Sequence, residues 1–448
     1  MLSHEMNQLI TRTGAGTPMG ELFRRFWLPA VMSAELESDG PPVRLRILHE
    51  DLVAFRDSSG KVGVVAAFCS HRLAPLFFGR NEQCGLRCPY HGWKFDIFGR
   101  CVEMPNVVRG NSEAVREQVA LTAYPAQEAG GLIWIYMGPA DRRPVFPRLE
   151  STLVPATHGH VSRWLQRSNW LAGLEGELDT AHISWLHKYF DQSANPVKGG
   201  GSELASDGAP EITLRETDYG FMYGARRRHP QGNFWRVTQW LAPMFSLIPR
   251  LPGDFTAGGG RAWVPIDDNN VTTFHFFYRV DAPLSTDDQK FLASGVAFPP
   301  RLEKGIVQLA GRSPIDAFLP VANLGNDFLV DRDKQKTLNF TGIWGANEQD
   351  RALQESMRMD SGTNIVAREH EHLIGSDAAI VTMRRRLLKM AKALAEGQEP
   401  SEPGNADAFA ARAISKICDI EDFDALRERH RDELRVPADR TPGRVVTA

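Results

Sequence analysis

The pattern of apolar and polar positions divides the chain into segments of different character. Between 43 and 140, short β-branched and aromatic runs alternate with turns: VRLRI and LVAFR precede the turn DSSGK, and LIWIYM comes near the end. Short runs separated by turn residues are typical of a small all-β unit. The proline-rich stretch PADRRPVFP at 139–147 follows and predicts a domain boundary near 140.

The pattern from 141 to 396 mixes helices and strands. NWLAGLEGELDTAHISWLHKYF at 169–190 predicts a helix, while FWRVTQWLAPMFSLIP and NNVTTFHFFYRV predict strands. SDAAIVTMRRRLLKMAKALAEG at 376–397 predicts an amphipathic helix with Ser376 as N-cap and its three arginines on the solvated face. Strands framed by helices predict an α+β domain with a curved antiparallel sheet around a cavity. We expect 397–448 to form a linker and a C-terminal surface helix.

Composition narrows the class of protein. A chain of 448 residues exceeds what one core normally supports, so more than one domain is expected. The net charge of -3 gives no reason to expect nucleic acid or an anionic membrane as partner. No apolar run approaches the roughly 20 residues of a membrane-spanning helix. The five cysteines are sparse and odd in number, which argues against a disulfide framework and favours a cytoplasmic location.

Most of the cysteines fall in one stretch, FCSHRLAPLFFGRNEQCGLRCPYHGWKFD at 68–96. Cys69 and His71 form C-x-H, and Cys88 and His91 form C-x-x-H. Two loops that each supply one thiolate and one imidazole can hold a metal centre between them. A structural zinc site uses the same ligand types and is the simpler alternative.

A second group of possible ligands lies in DTAHISWLH, with Asp179, His182 and His187. On one helix, Asp179 and His182 would share a face, because their spacing is close to one turn. His187 would be rotated by roughly 140° from His182 on an ideal helix. We therefore expect the helix to bulge or break between the two histidines if both bind one metal. Two histidines and one carboxylate are the ligands of non-haem Fe(II) oxygenases.

Together the two groups resemble the Rieske non-haem iron oxygenases. CSHR with CPYHGWKFD is similar to the Rieske 2Fe-2S motif, and NWLAGLEGELDTAHISWLH is most similar to the phthalate dioxygenase and aryl O-demethylase branch. The resemblance implies an N-terminal all-β Rieske domain at 43–140 and a helix-grip, START-like catalytic domain at 141–396, on which residues 1–42 pack. It also implies that the chain binds one 2Fe-2S cluster and one mononuclear Fe(II). The implied cluster ligands are Cys69, His71, Cys88 and His91, which leaves Cys84 spare.

The same resemblance suggests the third iron ligand. The branch carries a Q-D-x-A-x-Q-E segment late in the chain, which NEQDRALQES matches, so Asp350 is the candidate beside His182 and His187. Without the family, Asp350 would be read as a solvated acid near a helix start, where the helix dipole favours it. The alternatives are Asp360, Asp377 and Glu355.

The resemblance also implies how the two centres cooperate. A flavin and iron–sulfur reductase supplies electrons from NAD(P)H, and O2 is the cosubstrate. The family assembles as a trimer or a dimer of trimers, in which Asp179 would bridge His182 and His91 of a neighbouring subunit. Glu175 stands where naphthalene-type dihydroxylating members carry an asparagine close to the iron. The cis-diol outcome of those members therefore does not transfer.

Members of this branch often act on aromatic carboxylates, which require a cation within an apolar cavity. The hairpin YGARRRHPQGNFWRVTQW carries Arg226, Arg227, Arg228 and Arg236. Strand alternation directs Arg227 inward, and Arg236 stands among aromatic residues, so these two are the candidate substrate ligands. Hydroxylation of an aromatic acid and oxidative O-demethylation of a methoxyaryl acid both stay open. The alternative from another class is a Rieske electron-transfer protein without catalysis of its own.

Overall fold

The N-terminal segment forms two capped helices and one strand. The computed structural model describes residues 2–107, 115–116, 118–195, 207–249, 257–309, 312–440 and 446–447. Helix α1 begins where the Ser3 side chain accepts a hydrogen bond from Met6 N–H, and α2 has Thr17 as N-cap. The elements are α1 (His4–Thr11), α2 (Pro18–Phe23) and β1 (Trp27–Met32).

The β-rich unit predicted from the alternating pattern is present and is built from antiparallel sheets. One sheet has the order β2-β3-β4, a second β5-β6-β7-β8, and a third joins β1 to β10, β9 and β21. Val53, Phe55, Leu86 and Phe95 lie in its apolar core. The strands are β2 (Val43–Ile47), β3 (Glu50–Arg56), β4 (Val62–Ala66), β5 (Arg80–Glu82), β6 (Gly85–Arg87), β7 (Lys94–Phe95), β8 (Cys101–Glu103), β9 (Ala126–Ala129), β10 (Leu132–Tyr136) and β21 (Val446–Thr447).

Within the described residues, an antiparallel sheet of eight strands forms the body of the second part. Its order is β11-β17-β16-β15-β14-β13-β12, and β20 pairs with β14. The predicted antiparallel sheet is therefore confirmed, and a C-terminal strand that the sequence did not reveal belongs to it. The strands are β11 (Gly159–Gln166), β12 (Glu211–Thr217), β13 (Gly220–His229), β14 (Gly232–Leu241), β15 (Phe245–Leu247), β16 (Ala257–Pro265), β17 (Val271–Arg279) and β20 (Ile414–Cys418), with a separate hairpin of β18 (Leu302–Val307) and β19 (Ile315–Pro320).

Helices cover one face of this sheet. α3 lies directly on β16, because a Cβ at Gly173 would come within 2.0 Å of the Trp263 ring. Gly176 allows a similar approach to Gln354 at the end of α7. No helix in the described part of the chain is both long enough and apolar enough to cross a membrane. The helices are α3 (Trp170–Leu178), α4 (Ile183–Leu186), α5 (Thr286–Ser294), α6 (Arg332–Thr337), α7 (Ala346–Gln354), α8 (Ala378–Ala395) and α9 (Phe423–Arg429).

Helix α8 is amphipathic as predicted, but its arginines are not all solvated. Arg384 is 4% exposed and bonds to the carboxylates of Glu175 and Glu371. Arg386 donates to Glu402. The expectation of a solvated arginine face was wrong, because the spacing of residues on one helix does not reveal carboxylates that approach it from other elements.

Asp268, in the turn between β16 and β17, links three parts of the chain. It accepts hydrogen bonds from Arg12 Nη1 at 2.9 Å and Thr13 N–H at 2.8 Å, and it lies 3.0 Å from His49 Nε2. Burial would raise the pKa of Asp268, but the bonds to His49, Arg12 and Thr13 outweigh this and lower it to about 2. The carboxylate therefore ties the N-terminal segment and the β-rich unit to the sheet.

We expect acid to weaken this link. The pKa of Asp268 falls on folding from 3.8 to about 2, so the stabilisation of ~2 kcal/mol is complete above about pH 4 and is lost as the pH falls through about 2. Asp268→Asn should lower the urea midpoint at pH 6 and reduce its dependence on pH below 4. The control is Asp424→Asn, which removes an exposed partner of Arg215 and should change the midpoint little. An unchanged pH dependence in Asp268→Asn would contradict this assignment.

Candidate active site

The segment that carries both histidines of the second group is a helix interrupted by a tight turn. α3 ends at Leu178, and Asp179 follows as its C-cap residue. Oδ1 of Asp179 then accepts hydrogen bonds from the backbone N–H groups of Ala181 at 2.8 Å and His182 at 3.3 Å. The break therefore falls between Asp179 and His182. The prediction of a break between the two histidines was wrong, because the single turn of α4 separates them and they flank it as its caps.

This geometry brings His182, His187 and Asp350 together. One ligand atom from each lies within 4.8 Å of the others. Asp350 Oδ1 is 3.5 Å from His182 Nε2 and 3.2 Å from His187 Nε2. The alternatives lie elsewhere: Glu355 pairs with Arg351, and Asp360 accepts a bond from Gln8. Asp377 precedes α8 as its N-cap residue.

The electrostatics of this group suit a cation. Burial lowers the pKa of His182, but Asp179 and Asp350 on either side more than offset this and raise it to about 10. Burial raises the pKa of Asp350, while His187 and His182 lower it well below its usual range. The site therefore attracts positive charge strongly, and its two imidazoles and one carboxylate fit a mononuclear Fe(II).

His187 is oriented from behind by Gln349, a residue that the sequence did not single out although it adjoins Asp350. Gln349 Oε1 is 2.6 Å from His187 Nδ1, and Gln349 Nε2 donates to the carbonyl of Ile343 at 2.9 Å. The amide is thereby fixed with its oxygen toward the ring. Nδ1 of His187 then carries the proton, and Nε2 presents its lone pair toward Asp350.

The first group occupies two loops of matching construction. The N–H of Leu73 donates to the carbonyl of Cys69 at 2.9 Å, and the N–H of Gly92 donates to that of Cys88 at 3.0 Å. Leu73 and Gly92 both have positive φ, 57° and 76°. Each loop therefore closes in the same left-handed turn, and Gly92 avoids the strain that Leu73 accepts.

The side chains of these loops fit an iron–sulfur cluster. Cys69 and Cys88 are buried free cysteines. The ring centroids of His71 and His91 lie 4.5 Å apart, and the His71 ring stacks on the Trp93 ring with 4.4 Å between their centroids. His71 Nδ1 is buried without a hydrogen-bond partner in the described structure. A buried nitrogen left without a partner is costly unless a ligand such as iron meets it.

Cys84 and Cys101 differ in their surroundings. Cys84 lies exposed at the turn between β5 and β6, with a positive φ of 56°. Cys101 was not singled out from the sequence, yet it is buried in the same apolar cluster as Cys69 and Cys88. Its thiol donates to the carbonyl of Glu103 at 3.5 Å.

Glu175 lies on α3, and its carboxylate binds two arginines away from the histidines. It accepts hydrogen bonds from Arg368 Nη2 at 2.7 Å and from Arg384 Nε at 2.6 Å. Arg368 also donates to Asn7 of α1. These buried ion pairs anchor α3 to α1 and α8. Glu175 does not belong to the set formed by His182, His187 and Asp350.

The arginines of the β13–β14 hairpin have different surroundings. Arg226 pairs with Glu211 at the sheet edge. Arg227 points inward as predicted and is fully buried, and it donates to Thr180 O at 2.6 Å and to Asp207 O at 3.1 Å. Arg227 therefore stabilises the turn between Asp179 and His182.

Arg236 differs from Arg226 and Arg227 in having no bonded partner among the described residues. It lies opposite Ala225 in the register, on the same sheet face as Arg227. It is 6% exposed and forms no side-chain hydrogen bond or ion pair within the described ranges. Its charge acts on Glu177, which in turn lies within electrostatic range of Asp350 and His182.

Comparison with known proteins identifies the family of both parts of the chain. Residues 26–125 match the model of the Rieske [2Fe-2S] domain, and residues 135–432 match the model described as LigXa C-terminal domain like. The chain is 36% identical to the phthalate 4,5-dioxygenase oxygenase subunit of Pseudomonas putida, in an alignment that covers 98% of each. The chain belongs to the Rieske non-haem iron oxygenases.

Other members of the family support the same placement. The chain is 38% identical to the 3-chlorobenzoate-3,4-dioxygenase oxygenase subunit of Comamonas testosteroni, over 90% of this chain and 92% of that one. It is 36% identical to the 5,5'-dehydrodivanillate O-demethylase oxygenase subunit of Sphingobium sp., over 62% and 63%. A crystal structure of dicamba monooxygenase bound to dicamba shares the fold, with a TM-score of 0.58, 18% identity, and coverage of 83% of this chain and 98% of that one.

Family membership decides between the functional classes that the sequence left open. The chain is an enzyme, the oxygenase subunit of a multicomponent Rieske oxygenase, rather than a zinc-stabilised module or a bare electron carrier. Its cofactors are a Rieske 2Fe-2S cluster and a mononuclear iron. When bound, these groups supply electron transfer and the activation of O2.

Proposed function

We propose that this oxygenase subunit hydroxylates an aromatic acid and that Arg236 binds the carboxylate of that substrate. In this proposal Cys69, His71, Cys88 and His91 hold the cluster, and His182, His187 and Asp350 hold the iron. Relatives named for 3-chlorobenzoate, phthalate and phenoxybenzoate support an aromatic acid as substrate.

The single observation that carries the proposal is the isolated charge of Arg236. An arginine without a partner in a buried setting is unfavourable, because the desolvation of its charge is not compensated. Such a cation is retained where a ligand supplies the missing anion. Arg236 lies on the face of the sheet that also carries Arg227, which contacts Thr180 beside the iron site. A substrate carboxylate at Arg236 would therefore place its ring near His182 and Asp350.

Arg236→Met should test this assignment. We expect the KM for a benzoate substrate to rise about 10- to 100-fold, since a hydrogen bond to a charged group contributes roughly 1.5–3 kcal/mol. The methyl ester of the same acid should be affected far less. Arg226→Met, on the other face of the same hairpin, is the matched control and should leave KM near the wild-type value. Equal effects of Arg236→Met on acid and ester would refute a role in binding the carboxylate.

Asp179 is proposed as the link between the two metal centres of neighbouring subunits. Its Oδ2 lies 3.4 Å from His182 Nδ1, and its side chain is 26% exposed, so a second partner can reach it. We propose that this partner is His91 of a neighbouring subunit in a trimer or a dimer of trimers.

Exposed apolar side chains near both centres support this assembly. Leu73 and Tyr90, in the two cluster loops, are 73% and 55% exposed. Trp185 and Phe190, on either side of His187, are 56% and 50% exposed. Exposed apolar groups clustered in this way are typical of protein–protein interfaces.

The electron donor in this proposal is a flavin and iron–sulfur reductase that oxidises NAD(P)H.

A further inference from the structure

Three buried arginines lie on the face of the sheet that α3 covers, and they differ in how their charge is balanced. Arg236 and Arg227 lie on adjacent strands with the same orientation. Arg261 belongs to this face as well, because Ser246 lies opposite both Arg261 and Trp240 in the register. Each could in principle meet an anionic substrate.

Arg261 is neutralised by Glu177 of α3. Glu177 Oε1 lies 2.8 Å from Arg261 Nε, and Arg261 Nη1 donates to Glu177 Oε2 at 3.1 Å. The hydroxyl of Ser246 donates to the same carboxylate oxygen at 3.1 Å. Both charged side chains are only 8% exposed. The Phe298 ring covers the guanidinium, with 3.4 Å between the guanidinium carbon and the ring centroid.

Arg227 is unavailable for a different reason. It is 0% exposed, and its guanidinium donates to the carbonyl oxygens of Thr180 and Asp207. Its Nη1 has no hydrogen-bond partner in the described structure, but the side chain is fully enclosed, so a ligand cannot reach it without displacing the turn that carries Asp179. Among the three buried arginines, Arg227 is fully enclosed and Arg261 is ion-paired with Glu177, so Arg236, at 6% exposure, is the one that is both partly exposed and without an ion pair within the described residues.

We infer that the site takes aromatic monocarboxylates and discriminates against dicarboxylates, with Glu177 as the specificity-determining residue. This inference rests on the proposed function, because it needs Arg236 to bind the first carboxylate. Glu177 neutralises Arg261 and also lies within electrostatic range of Arg236, so a second carboxylate on a ligand held by Arg236 would meet this carboxylate and no free cation. Two like charges in a partly desolvated site repel each other, so the second anion is rejected.

The test compares ligands that differ in one charge. Binding of benzoate, phthalate and monomethyl phthalate to the wild-type holoenzyme is measured by calorimetry, together with product formation in the presence of a surrogate reductase. The monomethyl ester matches phthalate in size but carries one carboxylate. We expect the monoester to bind at least about tenfold more tightly than phthalate, as one unfavourable charge contact predicts. Phthalate binding as tightly as its monoester would overturn the inference.

Glu177→Gln then identifies the residue responsible. The substitution keeps the shape and releases the charge of Arg261, so the preference for monoester over phthalate should narrow about tenfold. An unchanged preference at unchanged iron content would overturn the role of Glu177. The wild-type comparison keeps the inference testable if the variant loses iron. Failure of the proposed function looks different, because neutral aromatics would then bind and no aromatic acid would.

Discussion

His182→Ala is expected to abolish turnover while the Rieske cluster stays intact. The imidazole of His182 lies 3.5 Å from Asp350 Oδ1, and its loss leaves only two of the three proposed iron ligands. We expect iron to fall from about three to about two per chain, and product formation to fall by more than about 100-fold. The EPR signal of the reduced cluster should be unchanged, because the proposed cluster ligands lie in other loops.

Substitution of Asp350 gives a second test of the ligand set, and substitution of Asp360 is the control. Asp350→Asn should remove the same iron, whereas Asp360→Asn should retain it, since Asp360 contacts Gln8 instead. Iron content is measured by elemental analysis, alongside the EPR spectrum. Full iron content in His182→Ala or Asp350→Asn would refute the proposed ligand set.

Asp179→Asn should separate metal binding from catalysis. An amide can still accept at Oδ1 the hydrogen bonds from Ala181 and His182 N–H, so the turn between α3 and α4 should persist. The negative charge beside His182 Nδ1 is lost. We expect both metal sites to stay occupied and turnover to fall by about 100-fold, as for other groups that orient metal ligands.

Stopped-flow oxidation of the cluster locates the defect. In Asp179→Asn, the reduced cluster should be reoxidised slowly by O2 in the presence of substrate, while substrate affinity stays near that of the wild type. Asp218→Asn, a substitution of an exposed aspartate, should behave as the wild type. Wild-type turnover in Asp179→Asn would contradict the bridging role.

The candidate metal-binding segments could be predicted from the sequence because their proposed ligands are close together along the chain. The C-x-H and C-x-x-H spacings and the D-x-x-H-x-x-x-x-H spacing each indicate candidate ligands on short stretches of backbone. Asp350 was different, since it reaches the histidines only through the packing of α7 near α3. Its assignment depended on resemblance to a family, and the structure then placed it beside both histidines.

What the sequence could not predict depends on contacts between distant elements. Helical periodicity alone put the break after His182, because it cannot show that the Asp179 side chain caps the following turn. The partners of Arg384 come from α3 and from a segment before α8, so the pattern of one helix missed them. The isolation of Arg236 was equally hidden, because an unpaired charge is recognised only once all neighbouring strands are in place.

A single-turnover experiment on the wild-type protein tests the proposed hydroxylation of an aromatic acid most directly. The protein, loaded with both metals, is reduced, freed of reductant, and mixed with O2 and a benzoate substrate. We expect hydroxylated product in an amount approaching the number of occupied iron sites, with loss of the reduced-cluster EPR signal at the same rate. Reoxidation of the cluster without any aromatic product, across benzoates with hydroxyl, methoxyl or chlorine substituents, would contradict the assignment as an aromatic-acid hydroxylase.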